Sequence, residues 1–236
     1  MAQSVGNAKN ILVGASPLFL STIDINDADY IANAEPGTLR AAGATSNGVP
    51  AYSPGVSYST TLNSVDQTAG LFGYRNVGFT NNGLQITYNP TFDSVTVDQL
   101  LDTAKLFKSA MEVMIATEMS EGTLENIVTV FGQAASTLGA VTGSTTTTKQ
   151  ELGIAGGSLG QAPTERQLIA VGQAPTASST LSERIYYARR VLSVQQSQHS
   201  LARTTATTFP VTFRLLPDAN YSGSEYGKII DRVLTV

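Results

Sequence analysis

The sequence predicts a mainly β fold carrying a single short helix. Three observations lead there. Charged residues make up only 14% of the chain against 42% hydrophobic, well below the roughly 25% charge of ordinary soluble domains. Thr, Ser, Asn, Gln and 21 glycines fill the gap, a composition that suits pleated strands joined by turns. Several short segments alternate apolar and polar residues, the period of a strand with one buried face, and only one segment shows clear helical spacing. A weakly charged exterior also suits burial against neighbouring subunits, because interface cores are depleted in charge.

The 236 residues fit one domain with loop insertions. Ile11 to Leu20 reads as a first strand, irregular at Pro17, since proline is tolerated at edges and bulges. From about 23 to 72 periodicity is lost, and Gly, Pro, Ser, Asn and Ala dominate. A long inserted loop of this kind is usually functional or disordered, and in a segment that orders only against a partner Tyr52, Tyr58 and Leu62 would supply the anchoring area. "RNVGFTNNGLQITYNP" reads as a hairpin turning at Asn81 to Gly83, because Asn and Gly accept positive φ. It places Leu84, Ile86 and Tyr88 on one side and Gln85 and Thr87 on the other. "FDSVTVDQ" continues the style, with Val95 and Val97 set against Ser94, Thr96 and Asp98. Leu101 to Met119 fits either period, and the β-branched residues near its end favour a strand over about 107–120.

The helical segment follows. Leu124, Ile127, Val128 and Phe131 stand at i, i+3, i+4 and i+7, with Thr123 as N-cap, Glu125 in the first turn and Gly132 as C-cap. So short a helix needs its apolar face docked on a sheet. Residues 133–161 form a Gly/Thr/Ser-rich loop. "ERQLIAVGQ" (165–173), "RIYYARRVLSVQ" (184–195) and "TTFPVTFRLL" (207–216) are three more strands. In the tail, Ile229, Ile230, Val233 and Leu234 suit a terminal strand or a docked helical turn. Arg189 and Arg190, adjacent on a strand, point to opposite faces; one could meet an acidic neighbour, and otherwise they read as an ordinary exposed pair.

Enzyme and cofactor chemistry find little support. The chain has no Cys and one His, which excludes thiolate sites and any site needing two imidazoles. His199, in the polar stretch "QQSQHSLA", reads as exposed. The glycines at 153, 156, 157 and 160 match neither a phosphate-binding loop nor the dinucleotide spacing. Glu118 with Glu121 form a carboxylate pair, but a glycosidase needs a sugar cleft, typically aromatic-lined, and the chain has no Trp and is 7% aromatic. Asp24, Asp27 and Asp29 lack the Gly and distal Glu of a calcium loop. No catalytic residue, cofactor or metal is expected. No stretch approaches the ~20 apolar residues of a membrane span, and the apolar run after Lys9 is interrupted by Gly14 and Pro17, unlike a signal peptide. The net charge is −4, with no basic footprint for nucleic acid.

The order of parts carries a resemblance. An extended strand at "VTVDQ", a strand ending in "ATEMSEGTLENI" with its helix, and a late strand running into "FPVTFRLLPDANYSG" resemble the major tail tube proteins of long, non-contractile-tailed bacteriophages. The match covers about residues 75–236 and is most specific at Glu121 to Asn126 and Leu216 to Asp218. It implies a β-sandwich or half-barrel subunit with one flanking helix. Six copies would join sheet edges into a hexameric β-barrel ring, and rings would stack into a tube in the virion tail, assembled in the host cytoplasm. Implied partners are further copies of the chain, a tape measure protein, and tail terminator and tip proteins. DNA would pass through without specific binding. Gln85, Thr87, Thr96, Asp98, Glu112 and Glu118 are the candidate lumen residues, and Lys108 on that face is an exception. The 23–72 stretch departs from a minimal connection, and by analogy with the family it is assigned, with Tyr52, Tyr58 and Leu62, to contacts between adjacent rings or subunits. Other readings are the inner tube of a contractile tail or injection system and a virion-surface carbohydrate-binding or decoration module.

Overall fold

The computed structural model describes residues 16–21, 74–100, 102–134, 137–140, 150–156, 158–160, 162–174, 182–195, 197–199, 201, 203–204 and 206–233. Ten strands and one helix lie among them: β1 (Leu18–Ser21), β2 (Tyr74–Asn76), β3 (Thr80–Thr96), β4 (Thr103–Met119), α1 (Leu124–Val130), β5 (Leu138–Ala140), β6 (Gln150–Leu152), β7 (Arg166–Gln173), β8 (Ser182–Ser193), β9 (Phe209–Leu215) and β10 (Gly227–Val233). The mainly β expectation holds. Tyr52, Tyr58, Leu62 and the rest of the 23–72 stretch lie outside the described residues, as do Asp24, Asp27 and Asp29.

Eight strands form one antiparallel sheet in the order β2-β1-β7-β8-β9-β4-β3, with β10 also paired to β8. Strand β8 is the junction. One edge pairs with β7 from Gln173↔Glu183 to Arg166↔Val191. Its other edge is shared, with β10 taking Ser182 to Ala188 and β9 taking Val191 to Ser193. The sheet therefore forks there, and side chains from β1, β4, β7, β8 and β9 meet in one core that includes Leu18, Leu168, Val191, Ile115 and Phe213. Strand β7 is buried on both faces over Arg166–Val171, which accounts for its unbroken apolar run at Leu168–Val171.

The largest departure from the sequence reading is the hairpin. Asn82 (φ 58) and Gly83 (φ 67) do adopt left-handed backbone, yet they lie inside β3, where pairing steps from Asn81↔Glu118 to Gln85↔Ala116. They form a bulge, and the Thr117 hydroxyl closes it by donating to the Gly83 carbonyl at 2.9 Å. The chain reverses instead between Thr96 and Thr103. Residues 107–119 are strand, as the β-branched cluster suggested, and the strand begins earlier, at Thr103. The C-terminal segment is a strand. The 133–161 stretch contributes a small β5–β6 hairpin.

Helix α1 spans seven residues, about two turns. Thr123 caps it, its hydroxyl accepting from the Asn126 N–H at 3.3 Å, and Gly132 leaves it at φ 65. Its buried side is centred on Asn126, Val128, Thr129 and Val130. Leu124 and Ile127 are half-buried, Ile127 packing on the core, and Phe131 is exposed. The apolar stripe is thus rotated from the expected one, because a polar residue, Asn126, holds the inward position.

Candidate functional site

Two local knots fix the geometry of the β3–β4 hairpin and of the C-terminal loop. At the first, Asn126 is fully buried, and its side-chain amide donates to the Val77 carbonyl at 2.9 Å and the Glu121 carbonyl at 2.8 Å. The Glu121 carboxylate accepts the Phe79 N–H at 3.0 Å and lies over Gly78, where a Cβ would collide with it and where φ is +84. These contacts clamp the entry of β3 to the exit of β4. At the second, Leu216 N–H donates to the Arg190 carbonyl at 2.8 Å, and buried Asp218 accepts from the backbone and side chain of Asn220. Arg189 is 1% exposed. Its Nε donates to the Ser224 carbonyl, and its guanidinium lies 3.4 Å from the Tyr221 ring centroid. Arg190 forms a bidentate pair with Glu165 at 2.7 and 2.9 Å. The arginines do face opposite ways; Arg190 has the acidic neighbour offered as one reading, and Arg189 is buried rather than exposed.

Between the knots, the register defines one continuous polar surface. Directly paired residues share a face, so Asn81, Gln85, Thr87 and Asn89 on β3 join Glu118, Ala116, Met114 and Glu112 on β4. The face continues on β9 through Pro210, Thr212 and Arg214. Asn81 Nδ2 donates to Glu118 at 3.2 Å, and Arg214 approaches Glu112 at 3.6 Å. The surface is small-residue, Thr/Asn/Gln-rich and weakly acidic, with its one arginine beside a carboxylate. Four of the six candidate lining residues, Gln85, Thr87, Glu112 and Glu118, come together here. Thr96 does not, since it pairs with Thr103 on the opposite face, and Asp98 sits in the connection beyond the strand. Asn89, Thr212 and Arg214 belong to the surface and were missed. Their alternation was legible, but their membership depends on which strands pair.

Lys108 is not on this face. The register moves from Thr91↔Ala110 to Phe92↔Lys108, leaving Ser109 as an extra residue, so Lys108 crosses to the apolar side. There its ammonium lies 2.8 Å from the Met111 sulfur and 5.6 Å from the Tyr88 ring centroid. The same bulge carries Phe107 to the polar side, opposite Asp93.

The hairpin also projects. Strand β9 pairs with β4 only over Met114 to Met119, so the outer part of the hairpin is a two-stranded arm about 35 Å long at the usual strand rise. Tyr88, Phe92, Leu106 and Phe107 on it are 45–64% exposed, and no other described strand pairs with the outer edge of β3. Two-stranded ribbons are marginal alone in water, and a long open edge invites another strand.

His199 is exposed, its ring 4.9 Å from that of Phe209. Among the described residues no three His, Asp or Glu side chains group in a way that could hold a metal ion. No helix among them is long and apolar enough to cross a membrane. No protein-family model and no curated protein matches the chain.

Proposed function

We propose that the chain is a structural, non-enzymatic subunit of a bacteriophage tail tube, in which copies join sheet edges into rings and rings stack into a conduit for DNA. The observation that carries this reading is the β3–β4–β9 surface. It is polar and weakly acidic on one side and core-forming on the other, and it ends at a 17-residue strand whose outer edge has no partner among the described strands. A wall of a hollow cylinder needs those properties: an edge that another copy completes, and an inner side that does not hold phosphate. In this reading the sheet is one segment of a half-barrel that closes in a six-membered ring. Gln85, Thr87, Glu112 and Glu118 line the lumen together with Asn89 and Thr212. The tape measure, terminator and tip proteins are its partners in the virion tail.

Negative-stain electron microscopy of the purified protein at high concentration tests the reading. Rings or tubes with an open centre are expected. A population that stays monomeric at all concentrations refutes it, and compact trimers without a channel would point to a decoration module instead.

A further inference from the structure

The bulge in β3 sets a chemically distinctive pair at the surface. Pairing passes from Asn81↔Glu118 directly to Gln85↔Ala116, so Asn82, Gly83 and Leu84 stand opposite Thr117 alone and outside the regular ladder. Asn82 and Gly83 are both exposed and both left-handed, and a Cβ built on Gly83 would meet nothing within 4 Å. Asn82 also lines a small polar cleft of ≈ 160 Å³ with Gln85, Glu118 and Thr212. In an Asn-Gly pair the side-chain amide is readily reached by the next backbone nitrogen, because glycine has no side chain to shield that nitrogen or restrict its rotation.

We infer that Asn82–Gly83 is a self-modification site, which converts in the folded chain to aspartate and isoaspartate. The Gly83 nitrogen attacks Cγ of Asn82. The N–Cγ bond forms, the Cγ–Nδ2 bond breaks, and ammonia leaves with the proton that Gly83 gives up. Water then opens the five-membered succinimide, at the Cγ carbonyl to give aspartate or at the backbone carbonyl to give isoaspartate, and the new carboxyl ionises. One ammonia is released, one water is consumed in the net change, and nothing is oxidised or reduced. The bulge makes the change compatible with the fold. The space about Gly83 is open to the closing ring. Isoaspartate adds a methylene to the main chain, which inside a regular ladder would pull later hydrogen bonds out of step. Here the surplus falls among residues without a cross-strand partner, and Gln85 and Thr87 keep their faces. What changes is charge: a carboxylate at position 82 joins Glu118, which accepts from Asn81 at 3.2 Å, on the polar surface. The inference does not rest on assembly.

Incubating the purified chain in mildly alkaline buffer, followed by peptide mass mapping, tests it. A gain of one dalton is expected at Asn82, at a rate within about tenfold of that in a synthetic Thr80–Thr87 peptide in the same buffer, tenfold being the slowing that a local opening cost of about 1.4 kcal/mol imposes. Both isomers should appear, since direct hydrolysis of the side chain gives aspartate alone. Asn82→Gln should abolish the gain, and Asn89 should stay unchanged because Pro90 has no N–H to attack with. Slower conversion than that, aspartate without isoaspartate, a gain at Asn89 equal to that at Asn82, or a gain that persists in Asn82→Gln overturns the proposal. The converted chain should melt at the parent's temperature, and a lower melting temperature overturns the claim that the bulge absorbs the product.

Discussion

The inner and outer halves of β4 can be compared directly, because one strand runs through both. From Val113 to Met119 alternate residues are buried and their neighbours are not, while every residue from Thr103 to Ala110 is exposed. On the side that faces the core at the root, the inner half carries Val113, Ile115 and Met119, and the outer half carries Leu106 together with Lys108. The inner half has β9, β8 and α1 to cover it, and the outer half has only β3. Alternation thus specifies that a face is to be covered without specifying by what, and in the outer half the described chain supplies nothing.

Breaking the inner half should cost most. Ile115 is 3% exposed in the core, and Ile115→Ala should lower unfolding free energy by about 2–5 kcal/mol, read as a drop in the urea midpoint. A loss below about 1 kcal/mol would mean that the arm's root is loosely held. An intermediate case lies on the other branch of the fork, where Arg184 pairs with Asp231 at 2.6 Å and tethers β10. The hydrogen bond from Arg184 holds the Asp231 carboxyl below its ordinary value of 3.8, and Arg184 is itself raised and stays charged. A depressed carboxyl stabilises the fold fully above the ordinary value and loses that contribution as pH falls through the lower folded one. Asp231 is half exposed, so the pair contributes under about 1 kcal/mol. Asp231→Asn should therefore lower stability slightly at pH 7 and by less at pH 2, below the ordinary carboxyl value. An equal deficit at both values would show that the carboxylate is not the cause. The smallest effect is expected in the outer half, where Leu106→Ala should change the stability of the isolated chain by no more than about 0.5 kcal/mol. A loss like that of Ile115→Ala, measured at concentrations too low for assembly, would show that the arm is already covered within one chain.

Much of the strand content was readable because period-two alternation is a local property, as in Phe209, Val211, Phe213 and Leu215, all buried as the spacing required. The hairpin was misread because Asn82 and Gly83 report only that the backbone goes left-handed. A tight turn and a bulge both use that, and the difference lies in pairing that continues a dozen residues further on. The true reversal near Asp98 carries no glycine to announce it. Asn126 and Arg189 were illegible for a related reason. Each is polar on an inward face, and each is stabilised by partners distant in sequence, Val77 for one, Tyr221 and Ser224 for the other. Of the candidate lining residues, those within the regular pairing from Gln85 to Thr87 kept their parity, whereas Lys108 changed sides through a bulge that no periodicity count reveals.

Ser109 gives that bulge a further meaning. Because it is the surplus residue in its stretch of β4, a chain lacking it would keep Lys108 opposite Phe92 and Phe107 opposite Asp93, and no side chain would exchange surfaces. Only the local bend and extra twist that such an insertion imposes would go. Chemistry and aim are therefore separable in this ribbon: one deleted serine would redirect where the projection travels while leaving unchanged what it offers on arrival.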